Sequence, residues 1–223
     1  MNQTWLVSCQ LVREKTIMYE DLKQVICDVA RTMDQKNLVN ACEGNLSIKH
    51  EGKILITPTG RSKAALTPDM IAVVDEKRTQ IEGRLRYSSE FLLHAAAYQF
   101  RPDMTGAIHC HAPYLTSFAL NNEPIESKAY PEMINLFGRI PVVPYGTPGT
   151  DEIWAEMGPH IRSSKVVLLA NHGALAVGSD LYDAFNLLQA AESIAYILTL
   201  AHSRGNVKDL TPEQVARVTR DKY

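Results

Sequence analysis

A chain of 223 residues, 45% hydrophobic and 22% charged, can bury one sizeable core, which excludes a disordered polymer and favours one large domain over two small ones. A formal net charge of -2, with Lys and Arg scattered rather than blocked, leaves no electrostatic footprint for nucleic acid or an anionic membrane. Four cysteines without a CxxC pair, an opening MNQTWLVSCQLVREK without a long apolar stretch, and no apolar run near the roughly 18 residues of a membrane helix point to a soluble protein of the reducing cytoplasm.

Residues 18–39 place Leu22, Val25, Ile26, Val29 and Met33 at helical spacing, predicting an amphipathic helix that opens the domain, with residues 1–17 a dispensable extension. GNLSIKH and KILITPTG are short apolar-patterned stretches joined by Glu51-Gly52, the pattern of a hairpin whose second strand Pro58 and Gly60 end. LTPDMIAVVD supplies a turn and a strand, and YSSEFLLHAAAYQFRP a helix bounded by its serines and Pro102. TGAIHCH follows as a buried strand, PYLTSFALNN as a short helix and GRIPVVPYG as a strand. In TDEIWAEMGPHIRSS a helix enters through Thr150 or Asp151, and Pro159 ends or kinks it. KVVLLANHGALAVG reads as two apolar strands separated by NHG. A long helix from Leu181 is stopped by Gly205, and a last helix is capped by Thr211 with Pro212 in its first turn. The order predicts a single α/β domain over 18–223, helices covering a sheet that is largely antiparallel because several strands connect directly through turns.

Strand residues two apart share a face, so His109 and His111 of GAIHCHAP point one way and Cys110 points the other, into the core. That geometry suits a metal clamp, and equally two polar residues on the wet side of a half-exposed strand. A catalytic zinc needs about three or four N or O ligands with a position left for substrate, so further candidates are required. His172, in LLANHGALAV, is buried by its flanks, and Gly173 lets the backbone turn tightly beside it; the alternative is a histidine held by ordinary hydrogen bonds. Glu90, at the first turn of the helix that begins Ser88-Ser89, is the fourth, although a carboxylate there also simply suits the helix dipole. The serine hydroxyls and unpaired N–H groups of that helix start form an anion cradle. EGNLS through Gly44 and Asn45, and TPTG through Thr59 and Gly60, complete it or are plain turns. Arg61 and Lys63 add positive charge there or are merely solvated, and His94, one turn after Glu90, competes as a ligand or is packed and hydrogen-bonded. His50, His160 and His202 read as surface residues.

Taken in order, EGNLS, ITPTG, SSE, HCH and NHG resemble the signatures of the class II aldolase and adducin-head family, typified by enzymes that cleave L-fuculose 1-phosphate, from about Met18 to the C-terminus. The resemblance implies a three-layer αβα fold around a central, largely antiparallel sheet. It implies a zinc-dependent aldehyde-lyase that splits a ketose 1-phosphate into dihydroxyacetone phosphate and a hydroxyaldehyde such as L-lactaldehyde. One zinc per subunit would lie on His109, His111, His172 and Glu90, with Glu90 also the acid/base group, and the substrate phosphate among Gly44, Asn45, Thr59, Gly60, Ser88 and Ser89. A homotetramer with active sites between subunits is implied as well, Tyr130 of a neighbour assisting the aldehyde end and the C-terminal Tyr223 closing over it.

Other activities share this pattern. After VPYG, where fuculose-cleaving members have an aromatic residue near the substrate tail, this chain reads Thr147-Pro148-Gly149, which leaves the aldehyde open. Members that act as L-ribulose-5-phosphate 4-epimerases carry Asp where this chain has Glu90, so the longer carboxylate favours an aldolase. Sugar-phosphate dehydratases and decarboxylases use the same ligands. A non-enzymatic scaffold like the adducin head has the fold without metal chemistry, and three retained histidines with Glu90 argue against it.

Overall fold

The computed structural model describes residues 3–220, and side chains over 19–219. A long helix, α1 (Gln3–Gln35), leads into β1 (Asn45–His50) and β2 (Lys53–Ile56). Those strands form the expected hairpin, closed by Glu51 and Gly52, both at positive φ, with His50 opposite Lys53. After β3 (Ala72–Val74) and β4 (Gln80–Glu82) come α2 (Phe91–Phe100), β5 (Gly106–Cys110) and α3 (Pro113–Asn121). A peripheral pair, β6 (Ile125–Glu126) and β7 (Arg139–Ile140), flanks α4 (Pro131–Leu136). The chain closes with β8 (Val142–Val143), α5 (Glu152–Ala155), α6 (Met157–Ser163), β9 (Val166–Leu169), β10 (Gly173–Gly178), α7 (Leu181–Ser203) and α8 (Pro212–Arg220).

Eight strands form one sheet in the order β4-β3-β2-β1-β5-β10-β9-β8, with only the β8–β9 pair parallel. The central strands are buried on both faces, and their alternation sorts two layers of core. Ile108, Cys110, Ala174, Ala176 and Leu168 pack on the side of α1, α3 and α7 with Ile26, Met33, Leu115 and Leu188. Ala107, Leu175, Val177, Val167 and Leu169 pack on the other side with Leu93 and Ala97 of α2, Ile153 of α5, and Met157 and Ile161 of α6. Burial of each large aliphatic is worth about 1.5–3 kcal/mol, so both helical layers are held by the sheet rather than by helix propensity. The result is the expected three-layer αβα sandwich.

Several boundaries depart from the sequence reading. Helix α1 starts at Gln3 and not Met18, and it ends at Gln35, beyond which Asn37 takes a left-handed conformation. GRIPVVPYG is not one strand: Pro141, which has no N–H, divides it into β7 and β8, which join different sheets, and its carbonyl accepts from Leu168. TDEIWAEMGPHIRSS makes two helices that break at Glu156; Pro159 lies in the first turn of α6, where a missing N–H costs little. Strands β4 and β6 and helix α4 were not expected, being short and mostly polar or Pro-led. Among the described residues α7 is the one helix long and apolar enough to cross a membrane by length and composition, with mean hydropathy 1.3. Its Leu181, Ala184, Phe185, Leu188, Ala191, Ile194 and Leu198 are buried within the domain, so it serves as a core helix. Its end follows the sequence signal, Gly205 having a φ of +76°, and its start is capped by Asp180, whose side chain accepts from Asp183 N. In α8, Thr211 and Gln214 cap each other reciprocally.

Candidate metal centre

The face of the sheet that meets α2 carries the chemistry. Asn45 of β1 pairs with His109 of β5, and Ser47 pairs with Ala107, so Asn45, Ser47 and His109 all point at α2, opposite the aliphatic side on which Cys110 is buried. His109 is fully buried and its Nδ1–H donates to the Ala174 carbonyl of β10 at 2.9 Å, which turns Nε2 outward as a lone pair. His111 follows just past the strand end, its Nε2 3.2 Å from that of His109. His172 comes from the β9–β10 turn, where Asn171 has a φ of +56°. A side chain at Gly173 would come within 2.6 Å of the Cys110 carbonyl and 2.8 Å of His111 Cδ2, so glycine is what allows the two loops to meet. One ligand-type nitrogen from each of His109, His111 and His172 lies within 4.8 Å of the others, a group that could hold a metal ion.

Glu90 stands against this triad. Its Oε2 lies 3.4 Å from His109 Nε2 and its Oε1 3.3 Å from His172 Nε2. It occupies the N-cap position of α2 rather than the first turn, and its backbone N–H donates to Ser88 Oγ. Among the described residues Glu90 Oε1 and His172 Nδ1 are buried without a hydrogen bond, and a buried carboxylate oxygen beside the histidine triad without a donor is one that a bound cation would satisfy. Burial, then the neighbouring His172 and His111, holds His109 well below the usual range, and burial lowers His172 against the opposing pull of Glu90, which favours the neutral, ligand-competent imidazole at both. A donor set of three imidazoles and a carboxylate fits a divalent transition metal.

Behind Glu90 runs a buried chain of polar groups. Asn45 Nδ2 donates to Glu90 Oε2 at 2.6 Å, and Asn45 Oδ1 lies 2.5 Å from His94 Nε2, which must donate to it. His94 Nδ1 is then the acceptor for Ser47 Oγ at 2.7 Å, and Ser47 Oγ meets the Tyr98 hydroxyl at 2.8 Å. Burial pushes His94 down to about 3 and the Tyr98 hydroxyl up, so both stay neutral. His94 is thus hydrogen-bonded and packed, a positioning group and not a member of the triad.

The other residues singled out by sequence fall into place unevenly. Gly44, Asn45, Thr59, Gly60, Ser88 and Ser89 line one cavity of about 230 Å³ together with Glu90, His111 and His172. Gly44 has a φ of +75° and approaches Val39 and the His109 carbonyl so closely that a Cβ would sit 2.9 and 3.0 Å from them. The Asn45 amide, read as a phosphate contact, also donates to Glu90 and accepts from His94. Lys63 is not solvated: it is 1% exposed and donates to the Cys42 and Arg61 carbonyls, whereas Arg61 is exposed. Tyr130 caps α4 and lines a separate cavity with Ile197 and Ala201, outside the histidine site of its own chain, and Tyr223 lies outside the described residues. His50 and His160 are half-buried and His202 is exposed. Sequence reasoning missed Glu43, whose Oε2 lies 3.4 Å from His111 Nδ1 at the mouth of the cavity, and the roles of Ser47 and Tyr98. The latter two were visible as polar positions at period two on β1 and at i, i+4 from His94 on α2.

A model of the class II aldolase and adducin N-terminal domain matches residues 24–199. The chain belongs to that family. It is 35% identical over 174 residues to a 5-methylthioribulose-1-phosphate/5-deoxyribulose-1-phosphate aldolase of Escherichia coli O45:K1, covering 78% of this chain and 81% of the relative. It is 35% identical over 201 residues to the L-fuculose phosphate aldolase of Escherichia coli K12, covering 88% and 92%. A 3-oxo-tetronate 4-phosphate decarboxylase of Haemophilus influenzae is 30% identical over 179 residues, covering 78% and 84%. Among solved structures, an L-fuculose 1-phosphate aldolase superimposes with a TM-score of 0.82 at 30% identity, covering 90% of this chain and 95% of that one.

Proposed function

We propose that this protein is a zinc-dependent class II aldolase that cleaves a ketose 1-phosphate, L-fuculose 1-phosphate or a similar sugar, into dihydroxyacetone phosphate and a hydroxyaldehyde such as L-lactaldehyde. The observation that carries the reading is Glu90, placed 3.3–3.4 Å from two imidazoles of the triad at one end of a cavity whose other walls are the glycine turns and the Ser88-Ser89 helix start. The two aldolases compared above are named for ketose phosphates that differ in the part released as aldehyde, which supports a shared phosphorylated half and leaves the aldehyde unassigned.

Zinc held by His109, His111 and His172 would supply a Lewis acid for the substrate's carbonyl and hydroxyl oxygens. The chain's own residues do the rest. The turns at Gly44 and Thr59-Gly60 and the start of α2 receive the phosphate, with backbone N–H groups and the serine hydroxyls as donors. As the C3–C4 bond breaks, the C4 hydroxyl gives up its proton, through the tyrosine at that oxygen, to the carboxylate of Glu90, and C4 leaves as the aldehyde. The electron pair stays on C3, which Glu90 protonates, and in the condensation direction Glu90 removes that proton. In a homotetramer the neighbour's Tyr130, and Tyr223, would serve the aldehyde oxygen. A small phosphorylated sugar is the partner this chemistry requires.

The deciding experiment incubates zinc-loaded protein with a panel of ketose 1- and 5-phosphates and identifies the products. Dihydroxyacetone phosphate with an aldehyde is expected. An epimer, loss of water or release of CO₂ would replace the aldolase by one of its family alternatives. No turnover of any member by fully metallated protein would leave a scaffold.

A further inference from the structure

Lys63 is among the largest fully buried side chains of the molecule, and nothing in the proposed chemistry uses it. It lies in a 3₁₀ turn, Lys63–Ala65, and its Nζ donates to the Cys42 carbonyl at 3.1 Å and to the Arg61 carbonyl at 2.8 Å. These carbonyls belong to different segments. Cys42 precedes the Gly44-Asn45 turn, and Arg61 follows the Thr59-Gly60 turn; both turns line the histidine cavity. The ammonium therefore ties together the two loops that line that cavity beside the start of α2. A buried cation is costly unless opposed, and besides Cys42 the groups whose negative charge acts on it are the carboxylates of Glu90 and Glu43 on the cavity wall. With two carboxylates lining a cavity read as an anion cradle, a buried positive charge beside the cradle is what keeps the site from repelling its ligand.

We infer that Lys63 is the positioning residue of the anion cradle, setting the distance between the Gly44-Asn45 and Thr59-Gly60 turns and supplying the buried positive charge that lets them accept a phosphate monoester. The inference rests on the phosphate-cradle part of the proposed function. Burial lowers the ammonium to about 8, which keeps it mostly charged at neutral pH, so the charge is present when a phosphate arrives. The phosphate is not touched by Lys63 itself, whose hydrogen bonds go to backbone.

The test titrates inorganic phosphate into the zinc-loaded full chain by calorimetry, for the wild type, Lys63→Met and Lys63→Gln. The glutamine keeps a donor without the charge and covers the case in which the methionine variant does not fold. Both variants should retain stoichiometric zinc and a cooperative melt while binding phosphate at least about tenfold more weakly, the scale of losing a charge-assisted contact. With any ketose phosphate that the wild type cleaves, KM should rise by a similar factor and kcat should change far less. Equal phosphate affinity in all three proteins, or a loss confined to kcat, overturns the role of Lys63 and leaves the cradle standing. A wild type that binds no phosphate overturns the cradle and Lys63 together, without touching the metal centre.

Discussion

Two oxygens of one carboxylate face different tasks in this site. Glu90 Oε2 accepts from Asn45 at 2.6 Å and lies nearer His109, whereas Oε1 has no hydrogen bond and lies nearer His172. In the proposed acid/base role the bonded oxygen fixes the group and the other carries the proton. Glu90→Gln should accordingly keep zinc, because three imidazoles remain, and lose about 10²- to 10⁴-fold in turnover. Metal analysis beside steady-state kinetics checks both halves, and unchanged turnover removes Glu90 from the acid/base role. His109→Ala should instead strip the ion, since that imidazole is fully buried and pre-oriented by Ala174; a variant that still holds stoichiometric zinc is not missing a ligand. At this scale the histidines and Glu90 were legible because spacing and apolar flanks betray them. The fates of Asn45 and Lys63 were not: which partner a buried amide or ammonium finds is decided by long-range register, the pairing of β1 with β5 and the packing of two loops, that no local pattern encodes.

At the level of elements, α2 and β1 behave as one unit. The polar residues Asn45 and Ser47 can face a buried layer only because His94 and Tyr98, one helical turn apart on α2, satisfy them. This arrangement has a pH signature. With His94 at about 3 in the fold and near 6.5 when unfolded, the unfolded chain binds more protons between those values, so stability falls as pH drops below 6.5. The shift corresponds to a few kcal/mol at most, fully lost only near pH 3, and burial of His109 adds in the same direction. Urea midpoints of metal-free protein should fall between pH 7 and 5, and the decline should be shallower in His94→Gln; identical slopes would mean His94 is not the group responsible. Long elements with a clear period, α7, β5, β9, β10 and the β1–β2 hairpin, were legible from sequence, and the helix end signals at Gly205 for α7 and Thr211 for α8 were sound. The failures were short pieces, β4, β6 and α4, or divisions made by one residue, as at Pro141 and Glu156, where tertiary packing and not pattern decides.

For the whole molecule, two parts of the proposal concern surfaces rather than the site. The core packing of α1 begins with Tyr19, Ile26 and Met33 among the described side chains, so deleting residues 1–17 should leave zinc content and turnover intact; an insoluble or inactive truncation would show that the extension belongs to the working fold. The second part is the proposed tetramer. Tyr130 lies beside Ile197 and Ala201 in a cavity separate from its own histidines, and Tyr196, Ile197 and Leu200 leave an apolar strip of α7 exposed. If Tyr130 serves a neighbour's site, then a subunit with Glu90→Gln and a subunit with Tyr130→Phe are defective in different halves of a shared site. Each variant alone should be nearly inactive. Mixed by unfolding and reassembly, they should form rings in which roughly a quarter of the sites combine an intact Glu90 with an intact Tyr130, restoring that share of wild-type turnover. Mass measurement must show that mixed tetramers formed. Tetramers that form without recovering activity would place Tyr130 outside the chemistry, and a monomer by mass would remove the shared site altogether.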